Sequence, residues 1–280
     1  MTSAPASSDN YCYRHPGRQS YVLCQRCART ICPECQVQAA VGVHCVECAA
    51  RDRQQAPRVK RGRPAILQNL TGRDAPVVTY AIIAVCVVVF LLQFLPGVTQ
   101  ALQFAGAYVM PATGAPFEPW RMLTAAFVHG SILHLLFNMF TLFVFGSALE
   151  RLLGRGRYLA LYLISGFGGS VAVTLLTSPL QPVVGASGAI FGLMGAYFII
   201  NRHLGGNSVQ LLVLVALNLA YGFLVPGISW QAHVGGLIAG ALDALVYVRT
   251  RPRRLKTVQV LLVAAVAVAL VAITAIRVLL

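Results

Sequence analysis

Residues Val183–Gly195 (VVGASGAIFGLMG) are apolar at almost every position, yet Ser187 stands near one end and glycines follow at 188, 192 and 195. Such a segment is too hydrophobic for a solvated surface helix and too rich in glycine for a helix standing alone. Gly188 and Gly192 form a small-xxx-small pair, which lets a second helix backbone come close. The same pair recurs in Trp230–Gly240 (WQAHVGGLIAG), where Gly236 and Gly240 follow His233. Two such helices packed together would bring a hydroxyl and an imidazole within hydrogen-bond reach.

Working outward, the remainder of 77–280 is built of similar apolar blocks. The chain of 280 residues is 57% hydrophobic and only 11% charged, where a soluble domain carries about a quarter charged residues. Hydropathy predicts seven spanning helices near 77–95, 131–150, 157–177, 184–201, 209–225, 230–248 and 257–279, each close to the ~20 residues that cross a bilayer core. Arg and Lys mark alternate connections. Arg58, Lys60, Arg61, Arg63 and Arg73 precede the first span, and Arg151, Arg155 and Arg157 separate the second from the third. Arg202 follows the fourth, and Arg249, Arg251, Arg253, Arg254 and Lys256 follow the sixth. The other connections hold only Glu118 and Arg121. This pattern predicts a cytosolic N-terminus and an outer C-terminus. The net charge of +14 is thereby read as topology rather than as a nucleic-acid surface. Residues 1–70 hold no apolar signal-peptide core, which also keeps the N-terminus in the cytosol.

From Met122 to Leu149 no Asp, Glu, Lys or Arg occurs, a run too long for one untilted span. The helix is therefore expected to begin near Ser131, and 96–130 to form a structured outer loop partly sunk in the membrane. The segment 51–76 reads as a flexible basic linker. Its charges serve equally as attraction to anionic lipid or as a topology signal alone.

Polar groups in hydrocarbon need a reason. The candidates are His129, His134, Asn138, Ser187, His233 and Asp243. Ser187, His233 and His134 each lie a few residues inside the outer end of a span, roughly 5–8 Å deep at ~1.5 Å per residue. Three polar side chains from three helices thus share one outward-facing level. A serine hydroxyl is a poor nucleophile until a positioned base takes its proton, and His233 is placed to do so. His134 and Asn138, at i,i+4, share a helix face and could both donate to a developing oxyanion. A metal at this level lacks ligands, because no Cys, Asp or Glu accompanies them. Asp243 lies ten residues beyond His233, about 15 Å deeper, which excludes it as the orienting carboxylate. Packing, or a polar contact near the cytosolic side with Asn218 or Arg249 as candidate partners, is expected for it, and the site is read as a dyad. A secondary transporter is disfavoured, because the halves show no inverted repeat and no charged midplane pair.

These residues together resemble the rhomboid family of intramembrane serine proteases. The resemblance covers about 77–250: Trp120-Arg121, His129, His134 with Asn138, then Gly146, Glu150 and Gly154, Gly185–Gly188, and His233 with Gly236 and Gly240. It implies an all-α polytopic fold, a six-helix core (77–250) followed by a basic loop and seventh transmembrane helix (251–280). It implies Ser187 as nucleophile and His233 as general base. His134, Asn138 and the backbone near Ser187, Gly185 included, would form the oxyanion hole. Trp120 and Arg121 would lie in the membrane loop. Single-span membrane proteins would be the substrates, cleaved near the outer face, and the chain a multi-pass protein of the cell membrane. Many relatives carry Tyr where this chain has Phe191; the ring can still pack on His233, so activity is expected to persist. The alternative is a catalytically inactive rhomboid-like protein that binds membrane clients.

Seven of the eight cysteines lie in the first 50 residues. They fall into Cys12-x2-His15, Cys24-x2-Cys27, Cys32-x2-Cys35 and Cys45-x2-Cys48. In a reducing compartment such pairs read as metal ligands, and eight ligands suffice for two tetrahedral zinc ions. The pattern resembles the B-box class of zinc fingers, which implies interleaved pairing, first with third and second with fourth; sequential pairing is the rival. His44 is a substitute for Cys45. This cytosolic zinc-binding domain (1–50) is expected to serve a cytosolic protein partner or to act as a structural cap. Cys86 reads as a small apolar residue in a span.

Overall fold

The computed structural model describes residues 10–39, 41–55, 75–225 and 227–279. It divides into two units, Met1–Pro64 and Ala65–Leu280, each taken alone below. The basic residues Arg58, Lys60, Arg61, Arg63 and Arg73 lie outside the described residues.

In the first unit β1 (Tyr11–Cys12) pairs antiparallel with β2 (His15–Gln19), and β3 (Gln36–Gln38) with β4 (Val43–Cys45). Helix α1 (Val46–Gln55) follows β4 directly, so the first five residues expected in the linker are helical. Its buried apolar residues are six cysteines and Ile31.

The second unit is helical. Helices α2 (Val77–Leu92) and α3 (Val98–Leu102) precede the short α4 (Arg121–Thr124). The long α5 (Ile132–Leu153), α6 (Arg155–Leu176), α7 (Ser187–His203), α8 (Val209–Leu224), α9 (Trp230–Arg249) and α10 (Lys256–Leu279) follow. Helices α5, α6 and α9 and the stretch Arg253–Leu279 are long and apolar enough to cross a membrane. Helices α2 and α8 are apolar at 16 residues each, about 24 Å of helix. This is an all-α multi-pass membrane protein with a small Cys-rich head, as expected from the sequence. Ser131 caps α5, accepting from the His134 amide at 3.1 Å; this is the start expected from the Met122–Leu149 run.

At the centre, α7 is buried without a break from Gly188 to Ala196. A Cβ on Gly236 would overlap the Gly188 carbonyl, and one on Gly240 the Gly192 carbonyl. A Cβ on Gly188 would stand 3.2 Å from the Ala232 carbonyl oxygen. Helix α6 joins from the other side, where a Gly169 Cβ would meet the same oxygen at 2.9 Å. Glycine is thus required at these crossings, because any larger residue would push the backbones apart. Helix α8 buries only Val215 and Gly222. Helix α10 is fastened near its start by buried Gln259, whose amide donates to the Thr250 hydroxyl at 2.8 Å.

Candidate active site

Ser187 is the first residue of α7, whereas the sequence placed it several residues inside a span starting near 184. The difference comes from Gly185. Its φ of 126° is open to glycine alone at no steric cost, and its N–H donates to the Ala125 carbonyl at 2.9 Å. The chain is thereby held non-helical until Ala186. Ser187 consequently sits where first-turn N–H groups lack intrahelical acceptors and the helix dipole favours negative charge.

His233, one turn into α9, brings Nε2 to 2.9 Å from Ser187 Oγ. Phe191 lies flat on its ring, centroids 4.2 Å apart and planes 9° from parallel. The other ring nitrogen, Nδ1, is buried with no hydrogen-bond partner among the described residues; a Cβ on Gly222 of α8 would stand 3.4 Å from it. Among the described residues no carboxylate is hydrogen-bonded to this imidazole. Both carboxylate oxygens of Asp243 are buried and without hydrogen-bond partners among the described residues. Of the possible partners, Asn218 donates to the Leu214 carbonyl of its own helix at 2.8 Å, and no hydrogen bond joins Arg249 to the Asp243 carboxylate among the described residues.

His134 approaches from α5. Its Nε2 and Cε1 are each 2.8 Å from where a Gly185 Cβ would stand, and Ser187 Oγ is 3.7 Å from the same point. Asn138 donates one amide hydrogen to the His134 carbonyl at 2.9 Å. This back-bond along the helix was not expected, and it leaves the second amide hydrogen free for another acceptor. His134, Asn138, Gly185, Ser187 and His233 all line one cavity of about 1060 Å³. His129 does not line it. It is buried, its Nδ1 is 3.3 Å from the Phe127 carbonyl, and its ring meets His134 edge-on at 5.2 Å.

In the stretch between α3 and α5, Trp120 is exposed and Arg121 is buried. Arg121 bonds to Glu118 and to the carbonyls of Gln100 and Gln103, and lies 4.0 Å over the Tyr108 ring. It ties three stretches of loop together. Sequence reasoning missed Gln93, whose amide grips the backbone of His129 from the end of α2. Its only signal was a polar residue in the apolar run of the first span.

In the head, Cys12, His15, Cys32 and Cys35 converge, as do Cys24, Cys27, Cys45 and Cys48, with ligand atoms within 4.8 Å in each set. The pairs therefore interleave. Four ligands at about 2.3 Å from a metal stand about 3.7 Å apart. His15 Nδ1 is 3.3 Å from Cys32 Sγ and 3.8 Å from Cys12 Sγ, and Cys27 Sγ is 3.8 Å from Cys45 Sγ. The sets fit tetrahedral metal ions. Thiolate ligands are favoured further by N–H donors: the Cys45 amide donates to Cys24 Sγ at 3.1 Å. The guanidinium of Arg29, 3.4 Å from Cys27 Sγ, pulls that thiol down to about 6. His44 belongs to neither set; it pairs with Asp52 at 2.9 Å.

Fold and site together define a polytopic helical membrane protein with a serine–histidine pair in an intramembrane cavity. The family described as Rhomboid domain matches residues 116–250. "Putative rhomboid protease YdcA" of Bacillus subtilis (strain 168) is 38% identical over 188 residues, 64% of this chain and 92% of that protein. The chain belongs to the rhomboid family. It is also similar to "Rhomboid protease GluP" of the same organism, 35% identical over 192 residues, 66% of this chain and 37% of that protein. "RHOMBOID-like protein 4" of Arabidopsis thaliana is 45% identical over 133 residues, 45% of this chain and 33% of that protein. The chain thus spans only about a third of the length of these two relatives.

Proposed function

We propose that this protein is an intramembrane serine endopeptidase that cleaves single-span membrane proteins within the bilayer, near its outer face. The single observation that carries the reading is the 2.9 Å contact between Ser187 Oγ and His233 Nε2 in a cavity shared with His134. His233 takes the hydroxyl proton as Oγ attacks the scissile carbonyl. The tetrahedral oxyanion forms against His134, Asn138 and the first-turn N–H groups beside Gly185 and Ser187. His233 then passes the proton to the leaving amine, and water repeats the sequence on the acyl-enzyme. Phe191 holds the imidazole plane in place of a carboxylate, so the pair works as a dyad. The substrate segment enters past α8, whose few buried residues make it the loosest wall of the cavity.

Zinc is the metal the thiol-rich head suits, one ion in each interleaved set. In this reading the chain divides into the zinc head (1–50), the basic linker (51–76), the protease core (77–250) and the last loop and helix (251–280). The head and the linker are cytosolic. The C-terminus and the mouth of the cavity are outside.

The test is cleavage of a panel of single-span substrates by purified protein, beside Ser187→Ala, with fluorophosphonate labelling of both. Cleavage and labelling should be lost in the variant. The second reading, an inactive client-binding protein, is favoured if wild-type protein neither labels nor cleaves any substrate; equal cleavage by both proteins would reject Ser187 as nucleophile.

A further inference from the structure

Gln93 closes α2, and its side-chain hydrogen bonds are directed at the loops that follow. Its Nε2 donates to the His129 carbonyl at 3.0 Å and to Thr99 Oγ1 at 3.1 Å, and its Oε1 accepts the His129 N–H at 3.0 Å. A side-chain amide bonded both ways to one residue's backbone fixes that residue in position and rotation, as a strand partner would. The fixed residue is followed by Gly130, whose N–H donates to His134 Nδ1 at 3.4 Å. His129 itself sets its ring edge against His134 at 5.2 Å and 64°. The Gly130 N–H and the His129 ring, which both meet the His134 ring, therefore hang from the backbone that Gln93 holds.

This arrangement decides a proton. A neutral imidazole has one N–H and one bare nitrogen, and the nitrogen that accepts a hydrogen bond is the bare one. Because Gly130 donates to Nδ1, the proton of His134 stands on Nε2. Nε2 is the atom facing Gly185, in the cavity beside Ser187. Were the tautomer reversed, His134 would present a lone pair to a developing oxyanion and repel it. We infer that Gln93 is a positioning residue which, through the backbone of His129 and Gly130, holds His134 in the Nε2–H tautomer that donates to the oxyanion. This rests on the protease reading for its catalytic consequence, but the tautomer itself does not.

Two measurements on the full-length protein in bilayers test it. Ring 15N shifts of His134, assigned by difference against His134→Gln, should report a protonated Nε2 and bare Nδ1 in wild type and a tautomer mixture in Gln93→Leu. Turnover of a single-span substrate should fall about tenfold in kcat in Gln93→Leu, with KM unchanged. In a His134→Ala background the same change should cost nothing further. Gln93→Glu keeps the acceptor for the His129 N–H, and should fall between the two; it also serves if Gln93→Leu does not fold. Unchanged ring shifts, or an equal loss of kcat in both backgrounds, would overturn the inference. Should wild type not turn over substrate, the protease reading fails, and the ring shifts still decide the role of Gln93.

Discussion

Ser187, His233 and His134 line one cavity of the bundle, brought together from three helices by the glycine crossings of α7 with α9 and by the backbone turn at Gly185. Their functions differ, and so should the consequences of removing them. His134→Ala leaves the Ser187–His233 contact intact and deletes only a donor. It should lower kcat by about 10²–10³-fold and spare fluorophosphonate labelling in part, whereas Ser187→Ala abolishes it; labelling rates beside turnover check this. Undiminished kcat in His134→Ala would remove that imidazole from the oxyanion site. These side chains were legible in the sequence because polar residues in an apolar run are conspicuous and their spacing is helical. Asn138 was legible beside His134, but not its bond to the His134 carbonyl; the surroundings of Asp243 and the role of Gln93 were not legible. Asp243 has no hydrogen-bond partner among the described residues, and Gln93 reaches a backbone 36 residues away. No periodicity in a sequence encodes a contact of that last kind.

At the scale of elements, the outer loop and the bundle are held by buried polar ties as well as by glycine crossings. The clearest joins α5 to the start of α2. Glu150, buried, accepts from the backbone N–H of Val78 at 2.9 Å and of Thr79 at 2.8 Å, and from the Thr79 hydroxyl at 2.8 Å. A carboxylate on first-turn N–H groups that lack intrahelical acceptors is doubly favoured, by charge-assisted hydrogen bonds and by the helix dipole. Glu150→Ala leaves three donors, the two of Thr79 buried, without an acceptor and should destabilise the bundle by about 3 kcal/mol. Glu150→Gln retains one acceptor oxygen and should lose less. Thermal unfolding in micelles ranks the two, and equal stability of Glu150→Ala and wild type would exclude this tie. Helix positions were readable to within a few residues, because hydropathy reports burial in lipid directly. The hairpins of the head were not: strands of two to five residues are too short to show alternation, and their order comes from ligand geometry.

For the whole molecule, the two units are stabilised by different physics. The helical unit buries an extended apolar core from Ile82 to Tyr247, and hydrogen-bonds its backbone within helices, as a bilayer demands. The head has Ile31 and its cysteines in place of a core, too little apolar surface to offset chain entropy. In the proposed reading its folding free energy comes from metal binding. Purified protein should therefore carry two zinc ions per chain, and a strong chelator should unfold the head while leaving Ser187 labelling unchanged. The proposed orientation adds a direction to this experiment. In sealed right-side-out vesicles, impermeant chelator added outside should leave the head resistant to hydrogen exchange, and a permeant chelator should open it. A zinc content well below two rejects the two-ion head, and loss of protection with the impermeant reagent alone places the head on the outer side. If chelation also abolishes labelling at Ser187, the metal sites support the helical unit as well, and the independence argued from their separate cores is wrong.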